Sequence, residues 1–150
     1  MERAIALAAQ NARSGAGGPF GAVIVRRGRL LAEGVNSVTH TNDPTAHAEI
    51  VAIREACRKS GHFELTDCEL YTSCEPCPMC LGAIYWARLG RIYYACDRAD
   101  AAAAGFDDSF IYDEIGFPLG GRSIPARQLL RRQGQAAFRA WAETPDKIPY

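Results

Sequence analysis

The chain has 150 residues, of which 48% are apolar, and it carries 17 basic and 17 acidic residues. This length predicts one domain, residues 1–150, with enough apolar side chains for a core. A neutral chain lacks the basic surface expected of a nucleic-acid-binding protein, and no apolar run is long enough to span a membrane. Six dispersed cysteines without a signal peptide predict reduced thiols in a cytoplasmic protein.

The first third of the chain predicts a helix and then a β-hairpin. Residues 2–13 are rich in alanine, and an apolar stripe at helical spacing favours an amphipathic helix. The stripe consists of Ile5, Ala8, Ala9 and Ala12. Apolar residues at 20–26 and 29–35, joined by Arg27-Gly28, predict two strands with a tight turn.

The middle of the chain alternates between strands and helices. A polar loop at 36–45 precedes a helix over 46–59, a strand over 68–72, a helix over 78–87 and a strand over 91–96. This alternation predicts parallel strand pairing, with helices on the faces of the sheet. The amino ends of the two helices should then meet at the carboxyl edge of the sheet, where open α/β sheets place their sites.

The last third is less regular. The sequence predicts a helical turn over 101–105, a helix over 109–115, a fifth strand over 122–126 and a final helix over 128–142. The two prolines of the tail that follows favour an extended chain.

Two short segments carry residues suited to metal chemistry. The first has His47 and Glu49 in the order His-x-Glu, and the second has Cys77 and Cys80 in the order Pro-Cys-x-x-Cys. Zinc prefers imidazole and thiolate ligands, and a catalytic zinc keeps its fourth position for water. Each segment falls at the start of a predicted helix, where the partial positive charge favours a thiolate. Glu49 is then left free to move protons.

Other interpretations of the cysteines stay open. Cys74, Cys77 and Cys80 together with His47 would make a four-ligand structural zinc site, which leaves no position for water. A Cys-x-x-Cys pair also occurs in redox proteins. A non-catalytic zinc module would tolerate the loss of Glu49, so turnover and not zinc content would separate such a module from an enzyme.

The joint pattern of His-x-Glu and Pro-Cys-x-x-Cys resembles the signature of the zinc-dependent nucleobase deaminases. The segments 17–25 and 42–49 and the metal motif also resemble tRNA adenosine deaminases. The segment 104–112, which contains Gly-Phe-Asp-Asp-Ser-Phe-Ile-Tyr, and the terminal Tyr150 resemble bacterial guanine deaminases. The resemblance covers nearly the whole chain and is weakest between residues 116 and 134.

This resemblance implies the cytidine-deaminase-like fold, a three-layer α/β/α arrangement in which helices flank a mixed five-stranded sheet. It implies one zinc ion per subunit, held by His47, Cys77 and Cys80. It also implies a homodimer that exchanges C-terminal segments, about residues 120–150, so that the tail of one chain closes the site of its neighbour.

The resemblance assigns further residues to the binding of a purine base. Asn36 would hydrogen-bond the purine, and the backbone at Ala48 would read an exocyclic group. Phe20 would stack on the base, while Trp86 and Phe106 would line the pocket.

The activity implied is the hydrolytic deamination of guanine to xanthine and ammonia. Glu49 would transfer protons, Asp108 would be a second proton shuttle toward the leaving amine, and Tyr150 would cap the neighbour's site. Whether Asp107 or Asp108 faces the site stays open, because either could cap the following helix. Deaminases of guanosine, of related aminopurines or aminotriazines, and of tRNA adenosine are the alternatives. The last of these would need a basic surface for RNA.

Overall fold

Four strands form one mixed sheet in the computed structural model, which describes all 150 residues. The strands are β1 Gly21–Arg26, β2 Arg29–Val35, β3 Cys68–Cys74 and β4 Arg91–Cys96, in the spatial order β2-β1-β3-β4. β1 pairs antiparallel with β2 and with β3, and β3 pairs parallel with β4. It follows that β2, β3 and β4 run in one direction, so their carboxyl ends share one edge of the sheet.

Helices cover both faces of this sheet. The helices of the first unit are α1 Glu2–Ser14, α2 Val38–Thr41, α3 Ala48–Ser60, α4 Pro78–Trp86 and α5 Arg98–Ala103, and α1, α3 and α4 pack on the sheet. Ala22 and Ile24 of β1 pack into a buried cluster with residues of α3 and α4, whereas Gly21 lies against α1. Because alternate residues of a strand point to opposite faces, α1 covers one face, and α3 and α4 cover the other. The prediction of an α/β fold with helices on both faces is confirmed.

A glycine lets α3 pack directly on the sheet. A Cβ atom at Gly34 of β2 would lie 2.2 Å from the carbonyl oxygen of Ala48 and 2.6 Å from the nitrogen of Ala52. Such distances are far inside normal contact, so only a hydrogen atom fits there. Since α3 carries Glu49 in its first turn, this close approach sets how near that carboxylate lies to the sheet.

The chain divides into two compact units, Met1–Ser109 and Phe110–Tyr150. The second unit contains most of α6 Ser109–Gly116, a short 3-10 helix at Leu119–Gly121, and α7 Arg131–Glu143. No residue from 110 to 150 is buried, although the segment is rich in large apolar side chains. None of the helices in the structure is long and apolar enough to cross a membrane.

The prediction of a fifth strand is wrong, because the sheet has four strands. Residues 122–126 form no regular element. A strand needs a neighbouring strand to satisfy its backbone groups, and the unit to which this segment belongs contains only helices. Pro125 also lacks the N–H group that a strand ladder requires.

The apolar stripe predicted for the first helix is wrong in part. Ile5 is 45% exposed, and the buried residues of α1 are Ala4, Ala8 and Asn11. The helix is rotated relative to the prediction. Its backbone lies directly against Gly21 of β1, so only small side chains fit on the face of α1 that meets the strand.

Replacing Gly34 with alanine should destabilise the protein, because the added methyl group would force α3 away from β2. Overpacking of this kind lowers the free energy of unfolding by about 1–3 kcal/mol. Chemical denaturation followed by circular dichroism measures the change. Gly82→Ala in α4 is the matched control, since nothing lies within 4 Å of a Cβ atom there. Equal stability of Gly34→Ala and the parent protein would contradict the close approach.

Candidate active site

A cavity of about 220 Å³ lies at the shared carboxyl edge of the sheet. Phe20 precedes β1, Asn36 follows β2, and Cys74 ends β3, and all three line this cavity. His47 and Glu49, at the start of α3, complete its inner wall. The strand directions therefore bring side chains from distant parts of the sequence to one place, as the alternation of strands and helices predicts.

The three predicted metal ligands come together at two helix amino ends. His47 is the N-cap residue of α3 and Cys77 is the N-cap residue of α4, while Cys80 lies in the first turn of α4. His47 Nδ1 is 3.6 Å from Cys77 Sγ and 3.5 Å from Cys80 Sγ. The ligand atoms of all three lie within 4.8 Å of one another.

This donor set fits zinc. Tetrahedral coordination with Zn–S of about 2.3 Å and Zn–N of about 2.1 Å places nitrogen and sulfur about 3.6 Å apart. The spacing of His47 Nδ1 from both thiols agrees with that value. Cys74 is not part of the cluster, because its thiol donates to the carbonyl oxygen of Asp97 at 3.4 Å. The arrangement thus resembles a three-ligand catalytic site more than a four-ligand structural one.

The two thiols of the cluster ionise unequally. Hydrogen bonds from Cys80 and His47, which outweigh the effect of burial, lower the pKa of Cys77 to about 4. The pKa of Cys80 is raised by its hydrogen bond to Cys77 and by burial. The cluster alone therefore supplies one thiolate, and a bound cation would favour ionisation of the second thiol.

Glu49 is buried beside the cluster and is 6% exposed. Thr72 Oγ1 donates to Glu49 Oε1 at 3.1 Å, and Cys80 Sγ donates to Oε2 at 3.4 Å. Burial raises the pKa of Glu49, so this carboxyl group takes up a proton more readily than an exposed glutamate. Sequence analysis missed Thr72, although it is a polar residue at an inward position of β3 after the apolar Cys68 and Leu70.

The residues predicted to bind substrate fall into two groups. Phe20, Asn36 and Phe106 line the cavity, and the rings of Phe20 and Phe106 pack edge to face with centroids 4.9 Å apart. Ala48 is fully buried in the first turn of α3, and Trp86, which ends α4, is 68% exposed. Neither of these two lines the cavity, so their predicted contacts with substrate stay predictions.

Asp107 and Asp108 both line the cavity but differ in their surroundings. Asp107 Oδ1 accepts a hydrogen bond from the N–H of Ser109 at 2.9 Å, and this bond lowers the pKa of Asp107. Burial, and then the nearby Cys77 thiolate, raise the pKa of Asp108. Asp107 is thus engaged at the start of α6, and Asp108 is the carboxyl group better suited to carry a proton. Tyr150 belongs to the unit Phe110–Tyr150, and its role stays a prediction.

Two charged residues of the cavity were not predicted. Glu75 and Arg98 both line it, and the backbone N–H of Arg98 donates to Glu75 Oε2 at 3.3 Å. Glu75 directly follows β3, and Arg98 begins α5 just after β4. Their positions after parallel strands are the signal that could have identified them.

Comparison with known proteins agrees with this geometry. Residues 1–96 match the family model for the cytidine and deoxycytidylate deaminase zinc-binding region. The chain is 55% identical to the guanine deaminase of Bacillus subtilis strain 168 over 150 residues, which cover 100% of this chain and 96% of the relative. The chain belongs to the guanine deaminase branch of this family.

Other members of the deaminase family show how far the similarity extends. A crystal structure of the Bacillus subtilis guanine deaminase matches with a TM-score of 0.97 and 56% identity, covering 99% of this chain and 95% of that one. The tRNA-specific adenosine deaminase of Aquifex aeolicus is 44% identical over 77 residues, which cover 51% of each chain. Similarity to the guanine deaminase therefore spans the whole chain, and similarity to this tRNA deaminase spans half of it.

Removal of a cluster thiol should remove zinc. Cys77→Ala and Cys80→Ala each leave two ligands of the three, so we expect purified protein to retain little zinc by mass spectrometry. Cys74→Ala is the matched control and should keep the zinc content of the parent protein, because Cys74 bonds to a backbone carbonyl outside the cluster. Loss of zinc from Cys74→Ala as complete as that from Cys77→Ala would instead support the four-ligand structural site.

Proposed function

We propose that the chain catalyses the zinc-dependent hydrolytic deamination of guanine to xanthine and ammonia, with one zinc ion per subunit. The observation that carries the proposal is a buried Glu49 carboxylate beside a three-ligand cluster of His47, Cys77 and Cys80. The name of the Bacillus subtilis relative, which matches over the whole chain, supports guanine as the substrate.

The first proton transfer belongs to Glu49. Zinc, when bound, would make water nucleophilic at neutral pH by lowering its pKa. Glu49 takes a proton from the attacking water as its oxygen bonds to C2 of the purine, and delivers that proton to a ring nitrogen. C2 becomes tetrahedral. The hydrogen bond from Thr72 holds one carboxylate oxygen in place throughout.

The second proton transfer releases ammonia. The amino group on C2 must gain a proton before the carbon–nitrogen bond breaks, and the C2 carbonyl of xanthine forms as it leaves. Glu49 takes up the proton of the C2 hydroxyl group as the carbonyl forms. Either Glu49 passes this proton to the amine, or Asp108 supplies the proton that the amine gains. Asp108 lines the same cavity, and burial raises its pKa, so it can hold a proton closer to neutral pH than an exposed aspartate. One water is consumed and one ammonia is released.

The aromatic lining suits a flat base. We infer that Phe20 stacks on the purine and that Phe106, whose ring meets Phe20 edge to face, closes the side of the slot. Asn36, which lines the same cavity, would hydrogen-bond the purine. The backbone at Ala48 and the side chain of Trp86 are proposed as further contacts on the basis of the resemblance to guanine deaminases.

Ammonia release from zinc-loaded protein tests the function directly. The experiment compares guanine, guanosine, adenine and cytosine in parallel. We expect ammonia release with guanine and none with adenine or cytosine. Faster ammonia release from guanosine than from guanine would support the proposed deamination but make guanosine the preferred substrate. No release from any of the four compounds would contradict the proposal.

The variant Glu49→Gln should retain zinc and lose turnover, because the amide cannot exchange protons. We expect kcat to fall by about 10²–10⁴-fold. Glu55→Gln is the matched control on the same helix, since Glu55 pairs with Arg58 at the surface. A kcat of Glu49→Gln equal to that of the parent protein would show that the Glu49 carboxylate does not take part in the reaction.

We also propose that the protein is a homodimer in which the C-terminal segments are exchanged. The residues from 110 to 150 form a separate compact unit in which no side chain is buried, so its apolar residues have no core of their own. Exposed apolar surface on this scale requires a covering partner. Examples are Phe138, which is 77% exposed, and Leu129, which is 80% exposed. A second copy of the chain is the partner that the resemblance to guanine deaminases indicates.

Mixed dimers test the exchange. A Glu49→Gln chain and a chain lacking Tyr150 should each be inactive, but a mixture unfolded and refolded together should recover activity. In the mixed dimer, one site combines an intact Glu49 from one chain with an intact Tyr150 from the other. Mixtures that stay inactive, although mass measurement shows mixed dimers, would argue that each tail serves its own chain.

The cellular setting follows from the chemistry. Two proposed metal ligands are thiols, which oxidation to a disulfide would remove, so we place the enzyme in the reducing cytoplasm. Since substrate and product are purine bases, the reaction would belong to purine breakdown or salvage.

A further inference from the structure

A buried asparagine behind the cavity wall takes no part in the chemistry described above. Asn11 of α1 is 6% exposed. Its Nδ2 donates two hydrogen bonds of 2.8 Å, one to the carbonyl oxygen of Gly18 and one to the carbonyl oxygen of Asn36. Both protons of the amide are therefore used by the two backbone segments that form this wall.

The side chain of Asn36 is fixed by other bonds. Its Oδ1 accepts hydrogen bonds from the backbone N–H groups of Gly18 and Val38, each at 3.3 Å. The oxygen of the carboxamide is thus occupied, and its NH₂ group is left to donate. Because Asn36 lines the cavity, it presents a hydrogen-bond donor there. A ligand atom that faces it must be an acceptor, such as a carbonyl oxygen or an unprotonated ring nitrogen.

These contacts form one connected unit. Gly18 is held at both ends, its carbonyl by Asn11 and its N–H by Asn36. A Cβ atom at Gly17 would lie 2.1 Å from the carbonyl oxygen of Asn36 and 3.0 Å from Asn11 Nδ2, so only glycine permits this approach. The N–H of Asn36 also donates to the carbonyl oxygen of Phe20 at 3.1 Å, which links the unit to the aromatic wall.

We propose that Asn11 is a positioning residue for the substrate, because it holds Gly18 and Asn36 so that the Asn36 amide nitrogen donates to an acceptor on the purine. The inference rests on the proposed function, which supplies the purine as ligand. Without Asn11, the buried carbonyl oxygen of Asn36 loses its side-chain donor, and the carbonyl oxygen of Gly18 keeps only the 2.8 Å bond from the N–H of Phe20. The link between the Gly18 segment and the residue after β2 is then weaker, so Gly18 can move away from Asn36 Oδ1. The Asn36 amide is then free to rotate and weaken its bond to the base.

The chemical step should be untouched by this loss. The proposed zinc ligands and Glu49 lie at the starts of α3 and α4, whereas the side chain of Asn11 bonds only to the loop after α1 and to the residue after β2. Loss of the Asn11 amide should therefore weaken substrate binding, which raises KM, and leave kcat nearly unchanged. A purely structural role would reduce the fraction of folded protein without changing the KM of the molecules that fold.

The test compares Asn11→Leu, which keeps the approximate volume and removes both donors, with the parent enzyme. We expect the KM for guanine to rise about tenfold while kcat stays within about threefold, as for one weakened hydrogen bond to substrate. Zinc content should not change. Ser14→Ala is the control in the last turn of the same helix, since it removes a 2.8 Å bond to the Asn11 carbonyl and should leave KM unchanged.

A binding measurement separates this inference from the proposed function. The Kd of the guanine analogue 8-azaguanine, measured by calorimetry in chains that also carry Glu49→Gln so that the analogue is not hydrolysed, should rise with Asn11→Leu by the same factor as KM. If the parent protein deaminates guanine but Asn11→Leu has the same KM and Kd, the proposed role of Asn11 is wrong and the proposed function is supported.

If the parent protein does not deaminate guanine, the proposed function is wrong, and the comparison of Kd values still decides the role of Asn11. If Asn11→Leu does not fold, Asn11→Ser, which keeps one donor, should show an intermediate rise, and parental values in it would overturn the inference.

Discussion

The meeting of two helix amino ends at one edge of the sheet is the constraint on which the site depends. His47 and Cys77 are N-cap residues, so each side chain projects beyond the first turn of its helix instead of along the helix surface. The backbone N–H groups at such ends favour negative charge, and the cluster contains a thiolate at Cys77. The two positive helix ends thus favour the thiolate that a divalent cation would bind.

The same constraint explains how Glu49 can be buried and still serve the proton transfer that we propose. A carboxylate under the surface is costly unless its oxygens are satisfied, and here Thr72 donates to one oxygen, and Cys80 donates to the other while its thiol keeps its proton. Gly34 permits α3 to lie close enough to β2 for Glu49 to reach β3, where Thr72 lies. The position of the Glu49 carboxyl group is therefore set by backbone packing, and a substitution in the sheet can change it without altering a residue that lines the cavity.

Much of this site could be predicted from sequence because its key residues occupy short local motifs. The spacing of Cys77 and Cys80, with prolines beside them, fixes a helix start, and strand direction brings His47 to the same edge. Asn11 and Thr72 could not be found in this way, since their partners are backbone and side-chain atoms distant in sequence. The prediction of a fifth strand is wrong for a related reason. Residues 122–126 lack a pairing strand in their own unit, and local propensity does not reveal whether such a partner exists.

The division of the chain suggests where the choice of substrate is made. The match to the family zinc-binding region ends at residue 96, and it contains His47, Cys77, Cys80 and Glu49, to which we assign zinc binding and the first proton transfer. Phe106 and Asp108 also line the cavity, but they lie after that region. Two residues that we propose for closing the slot over the base and for protonating the leaving amine therefore lie outside the shared zinc region. Under this proposal, a family could keep one hydrolytic centre and change part of its substrate contacts by altering the segment after β4, because the proposed metal ligands and Glu49 lie at the starts of α3 and α4.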